Sequence, residues 1–168
     1  MKPYVDNPFV IGADLRNEPR GLWGTIPWSK WAVAAEQASE ALLAMQPDWL
    51  MFVEGVSSAS DCSGASTRPV QLTLPNDLSI PRTSTAGAAG ARSQPNTNGS
   101  MIPSRQTWIA IGGSLLQGNI APVWVGEFDV SHDVDPGEQH YWDNLMGYPK
   151  DADADIGYWA LNPRKPLN

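Results

Sequence analysis

Three glutamates stand directly behind short apolar runs, and that placement is the first chemical signal in the chain. Glu18 follows the run at 9–15, Glu54 closes the run at 49–53, and Glu127 closes the run at 122–126. In folds built from parallel strands, the C-terminal strand ends share one face, and that face carries the chemistry. Carboxylates distant in the chain can therefore converge there. Two of them facing each other across a cleft suit glycosidic-bond cleavage. One must give a proton while the other attacks the anomeric carbon or activates water. A lone glutamate at a strand end is by default a cap or the partner of a loop arginine. Glu54 keeps that reading, as a brace for the site. The other two are more specific. Asn17-Glu18-Pro19 sets an amide beside an acid on one rim, with proline restricting the backbone. Val123-Trp124-Val125-Gly126-Glu127 ends a wholly apolar strand in an acid, with a glycine just before it.

These acids need elements to hold them. Residues 9–15 form a short apolar run of the kind that makes a buried strand, broken by turn residues at 17–21. From 29 to 46, Trp31, Ala34, Ala38, Leu42 and Met45 recur at helical spacing, and Pro47 marks the stop. A second strand is predicted at 49–53. Strand, helix and strand in this order make a βαβ crossover and a parallel sheet. The pattern returns further on, with a strand at 122–126 and a helix from 136 to 146. Asp135, Pro136 and Glu138 stand there as N-cap, first-turn proline and capping-box acid. A last strand is predicted at 156–161.

Composition narrows the classes. The chain has 168 residues, the size of one domain, and 42% of them are hydrophobic, too many for a disordered chain. Its net charge of −7 offers no footprint for nucleic acid or an anionic membrane surface. No apolar run approaches the roughly 18 residues of a membrane span, and no apolar stretch follows Lys2 to make a secretion signal. Cys62 is the single cysteine and cannot form an internal disulfide. Eight tryptophans suggest flat ligands such as sugar rings, or a large core. Trp23 and Trp28, on the loop after the first acid, stand at even odds between cleft and core. Trp31 and Trp124 fit packing better. His132, Asp133, Asp135, Glu138 and His140 could suggest a metal site, but a helix cap explains the acids more simply.

The aromatics are unevenly spread. None falls in 54–107, and residues 83–100 read TSTAGAAGARSQPNTNGS, small, polar and aperiodic. Disordered or irregular structure is expected over 57–114.

The segments VIGADLRNEPRGLWG, DWLMFVEGV, NIAPVWVGEF and GYWALNP, with the Trp-rich helix behind the first, resemble glycoside hydrolase family 5. The likeness is to the endo-β-1,4-glucanase (cellulase) branch and covers roughly 1–56 and 115–163. It implies an α/β fold, a partial (β/α)8 barrel comprising the family's fourth, fifth, seventh and eighth strands. It also implies hydrolysis of β-1,4-glucan with retention of configuration. Glu18 would be the general acid/base and Glu127 the nucleophile. Asn17 would bind the 2-hydroxyl of the sugar beside the cut, and Trp159 would be the platform beneath it. The resemblance implies no metal and no organic cofactor. The partner is a β-glucan polysaccharide or oligosaccharide, with no nucleic acid, no membrane insertion and no obligate protein partner. Full-length relatives are expected to be extracellular.

The chain also departs from the family pattern. Strands one to three have no counterpart, so residues 1–168 are expected to form a single incomplete catalytic domain. Arg20 replaces the histidine usual after Asn-Glu-Pro, and Asp129 replaces the usual glycine. Residues 68–76 still resemble the family, whereas 78–93 do not. A frame-shifted or mis-spliced insert is therefore expected over 77–114, and translation of the other reading frames tests it. The alternatives are an inactive truncated fragment that at most binds glycan through its tryptophans, and a metal-assisted lyase on another parallel barrel.

Overall fold

Parallel strands cannot be joined by tight hairpins and require crossovers of a dozen or more residues, which sets the architecture seen in a computed structural model of the chain. It describes residues 1–22, 26–73, the backbone of 83–87, 112–126, 136–152 and 154–157. Five strands form one sheet: β1 (Gly12–Asp14), β2 (Leu50–Phe52), β3 (Thr83–Gly87), β4 (Val123–Val125) and β5 (Asp155–Ile156). Their spatial order is their chain order and every pairing is parallel. Gly12 lies opposite Leu50, Phe52 opposite Ser84, and Ala86 opposite Trp124. Helix α1 (Trp28–Leu43) crosses between β1 and β2. A short helix α2 (Ser114–Gln117) precedes β4, and α3 (Pro136–Asp151) connects β4 to β5. Among the described residues the sheet is open, with β1 and β5 outermost.

Alternation along the strands sorts side chains onto two faces. Ala13, Met51, Val53, Val123 and Val125 are buried on the face covered by helices. Trp28, Trp31, Ala32 and Ala35 of α1 pack there with Val53, Cys62 and Leu115. Val125 meets Trp142 and Met146 of α3. On the other face, half-buried Phe52 and Trp124 meet edge to face, their ring centroids 5.3 Å apart. The residues of β3, which runs between them, are all small: Thr-Ser-Thr-Ala-Gly.

Two expectations require correction. Irregular structure over 57–114 gives way to a parallel strand at Thr83–Gly87, so five strands stand where four were expected. That strand has no apolar alternation of its own, and pairing with β2 on one side and β4 on the other holds it in the sheet. A 3-10 turn at Ser63–Ser66 and antiparallel bridges from Gly55 to Ala59 and from Val56 to Asp61 add further order after β2. The buried stripe of α1 is also rotated from the expected one. Trp28, Trp31, Ala32, Ala35, Ser39 and Leu43 face inward, while Ala34 and Ala38 are exposed. Trp31 is buried in both stripes, and Leu42 of the expected one is half-buried against the core.

The helix expected at 136–146 runs on to Asp151 with Pro149 inside it. The cap at Asp135 and the group at 132–133 lie outside the described residues, as does the greater part of the strand expected at 156–161.

Candidate active site

The C-terminal edge of the sheet gathers the acids. Beyond β1, the Leu15 N–H still donates to the Phe52 carbonyl at 3.2 Å, so the two chains leave the sheet together. Glu18 follows at φ 45°, in the left-handed region that non-glycine residues seldom enter. The residue before a proline is restricted further, and Pro19 itself is wholly buried. This corner directs Glu18 away from the strand with its side chain 33% exposed.

Glu54, two residues beyond β2, is its neighbour in space. The Glu18 N–H donates to Glu54 Oε2 at 2.5 Å across 36 residues of sequence. Glu54 is buried, with 5% of its surface exposed. Its carbonyl oxygen accepts a 2.7 Å hydrogen bond from Trp31 Nε1. Glu18 Oε2 in turn pairs with the Arg20 guanidinium, whose side chain is 56% exposed at the rim. Asn17 is exposed immediately before the acid.

A second layer supports this edge. Trp28 Nε1 donates to the Arg68 carbonyl at 2.8 Å. Arg68 grips Glu36 of α1 through both carboxylate oxygens, at 3.1 and 2.9 Å. That fork, with a further bond from the Gln71 N–H, holds the Glu36 carboxyl below its ordinary value of 4.5, against burial acting in the other direction. The thiol of Cys62, behind Glu54, is pushed up to about 12 by burial and then by the charges of Asp61 and Glu54.

The residues singled out from sequence therefore divide. Asn17 and Glu18 share one rim, and Glu54 lies beneath Glu18. Glu127 is the second residue after the end of β4, and Glu127, Trp159 and Trp23 lie outside the described residues. Trp28, left between cleft and core, is buried in the core. Trp124 does not share the buried face of its flanking valines and packs on Phe52 instead. The Arg20 pairing is the loop-arginine partner that a strand-end glutamate has by default. Among the described residues, no three His, Cys, Asp or Glu side chains form a metal-holding group. No helix among them is long and apolar enough to cross a membrane. A cavity of about 370 Å³ between Asp6, Gln46 and Trp49 opens at the N-terminal ends of β1 and β2. It is at the opposite end of the sheet from Glu18, the end associated with stability in parallel barrels.

Comparison with known families decides the class. The profile described as "Cellulase (glycosyl hydrolase family 5)" matches residues 2–165. The chain belongs to glycosyl hydrolase family 5. An endoglucanase of Paenibacillus polymyxa is 36% identical to this family 5 chain, covering 95% of it and 44% of the relative. The major extracellular endoglucanase of Xanthomonas campestris is 29% identical, covering 95% of the chain and 36% of the relative. The chain thus spans less than half the length of these curated relatives.

Solved structures agree on the fold. An endocellulase variant from Pyrococcus horikoshii in complex with cellotetraose superposes with a TM-score of 0.70 at 21% identity, over 92% of the family 5 chain and 50% of that structure. A β-glucanase from Saccharophagus degradans, also in complex with cellotetraose, reaches 0.70 at 16% identity, over 98% and 49%. The family fold is the (β/α)8 barrel, and the described residues contribute five consecutive parallel strands to it without closing it.

Proposed function

We propose that this chain is a single incomplete glycoside hydrolase catalytic domain, of a type that cleaves β-1,4-glucosidic bonds in cellulose-like polysaccharide with retention of configuration. One observation carries the reading. Glu18 leaves the C-terminal edge of a parallel sheet at a constrained corner, and β4 of the same sheet runs directly into Gly126-Glu127. Three strand spacings separate β1 from β4, about 14 Å along a flat sheet. A retaining pair needs its two carboxyl groups roughly 5 Å apart, so this reading requires the sheet to curve as it does in a barrel.

In this reading Glu127 attacks the anomeric carbon as Glu18 protonates the glycosidic oxygen, and the leaving sugar departs with its hydroxyl restored. Glu18, now a base, takes a proton from water. The oxygen of that water displaces Glu127 from the same face, so configuration is retained. Asn17 hydrogen-bonds the 2-hydroxyl of the sugar beside the cut, and Trp159 stacks beneath that sugar. Family membership and the cellotetraose held by two solved neighbours support a glucan chain as the substrate.

The test is release of reducing ends from a soluble β-glucan. Glu18→Gln and Glu127→Gln should each reduce the rate by about 10²–10⁴-fold, and the first-formed sugar should carry the β configuration. Full activity in either variant refutes the assignment. Binding of the glucan by the unmodified chain with no reducing ends released would mark a glycan-binding remnant instead.

A further inference from the structure

We infer that Glu54 is a positioning residue for Glu18: its buried carboxylate holds the Glu18 backbone N–H and thereby sets the corner from which the acid reaches the scissile bond. The inference rests on the reading of Glu18 as acid/base.

Three observations converge on it. Glu18 sits at φ 45° ahead of a buried proline, a conformation that costs energy and persists only where the surroundings impose it. Its side chain is one-third exposed and, among the described residues, pairs with a rim arginine more exposed than itself. Its aim therefore comes from the backbone. That backbone is held by Glu54 Oε2 at 2.5 Å, in a charge-assisted bond of the stronger kind.

Glu54 is equipped for this work. Its own main chain is fixed by Trp31 Nε1 on its carbonyl and by the Gly55–Ala59 and Val56–Asp61 bridges immediately after it. At Gly55 a Cβ would run into the Asp61 backbone at 2.7 Å, so the turn that presents the carboxylate admits no larger residue. A carboxylate 95% buried is expensive unless hydrogen bonds compensate it. The Glu18 N–H supplies one such bond to Glu54 Oε2.

The test pairs a structural readout with a kinetic one on the full chain, using Glu54→Leu, Glu54→Gln and Glu54→Asp. Gln keeps an acceptor at the same reach, Leu removes it, and Asp keeps the charge but withdraws it by one methylene. The Glu18 amide should exchange with solvent slowly in the unmodified chain and in Glu54→Gln. In Glu54→Leu and Glu54→Asp exchange should be faster by about tenfold or more, the loss of one hydrogen bond to a charged acceptor. An unprotected Glu18 amide, or protection unchanged in Glu54→Leu and Glu54→Asp, overturns the inference whatever the activity. If the Leu variant fails to fold, the Asp variant carries the same comparison.

Kinetically, misplacing an acid by about 1 Å costs roughly 10²-fold in kcat. That loss should appear with β-glucan and largely disappear from kcat/KM with a dinitrophenyl β-cellobioside, whose leaving group needs no proton, whereas kcat still carries the later step in which Glu18 is the base. A purely structural Glu54 would slow both substrates equally, and that result overturns the inference. Failure of the underlying reading is distinguishable, because Glu18→Gln itself would then show no difference between the two substrates.

Discussion

The indole N–H of Trp31 donates to the main-chain oxygen of Glu54 at 2.7 Å, joining α1 to the chain just beyond β2. The bond is buried and spans 23 residues of sequence. Through it, a helix on one face of the sheet secures the main chain of the residue whose side chain holds Glu18 on the other side of the same edge. The rim that carries Glu18 and the hydrophobic core thus share one structural element.

Trp31→Phe should therefore destabilise more than its change in volume suggests. The ring stays apolar and large, but the buried Glu54 carbonyl loses its donor, a loss of about 1–3 kcal/mol. Urea unfolding monitored by circular dichroism measures it. A variant as stable as the unmodified chain would mean that the carbonyl finds another donor at no cost.

How much of this arrangement was legible in the sequence depends on side-chain type. Glu18 and Glu54 could be placed on one edge because their strands are apolar runs that end abruptly, and parallel crossovers leave only one edge for both. The link between them could not be read, since nothing in Asn-Glu-Pro or Val-Glu-Gly announces a hydrogen bond 36 residues long. The face of α1 was misjudged because alanines occupy so many of its positions that the hydrophobic period has no clear phase. Trp31 was right, while Ala34 and Ala38 exchanged roles with Ala32 and Ala35. Strand β3 was illegible because Thr-Ser-Thr-Ala-Gly carries neither apolar alternation nor aromatics, and its two neighbours hold it in place. Trp124 alternates with the core valines, as its spacing implies, and packs on Phe52 on the opposite face.

The junction of β1 with β2 is sensitive at Gly12. A Cβ there would collide with the Leu50 carbonyl, a backbone atom of the neighbouring strand that cannot swing aside. Gly12→Ala should cost about 1–3 kcal/mol through overpacking. It should also lift β1 from β2 and loosen the Glu18–Glu54 contact beyond it. Thermal unfolding gives the first effect and exchange of the Glu18 amide gives the second. An unaffected amide alongside a lower melting temperature would show that the rim is insulated from the strand pairing.

The Arg68–Glu36 fork makes a specific acid dependence. Arg68 holds the Glu36 carboxyl below its ordinary value of 4.5 in the folded state. A group whose folded value is depressed contributes stability above its unfolded value and loses it as pH falls through the folded one. The contribution is therefore present at neutral pH and disappears progressively below about 4.5. Arg68→Gln should be less stable at neutral pH and show a shallower acid limb, so that the two curves converge in acid. Unfolding midpoints collected across that range provide the comparison. Parallel curves would show that the fork contributes nothing through Glu36, as happens for many exposed ion pairs.

Cys62 should behave in the opposite sense. Burial beside Val53, Val56 and Trp28, with Asp61 and Glu54 adding negative charge, lifts its thiol from 9.0 to about 12. Reaction with iodoacetamide proceeds through the thiolate, so the native chain should be inert at about pH 8 and should label rapidly once unfolded in urea. Because the folded value is raised, the associated stability is complete below pH 9.0 and is lost as pH climbs through the folded value near 12. Cys62→Ala removes the titrating group and should flatten the alkaline limb. The smaller side chain also leaves a void in the core, which lowers stability at neutral pH. Rapid labelling of the native chain under conditions where the rest of the core stays protected would contradict the burial on which both expectations stand.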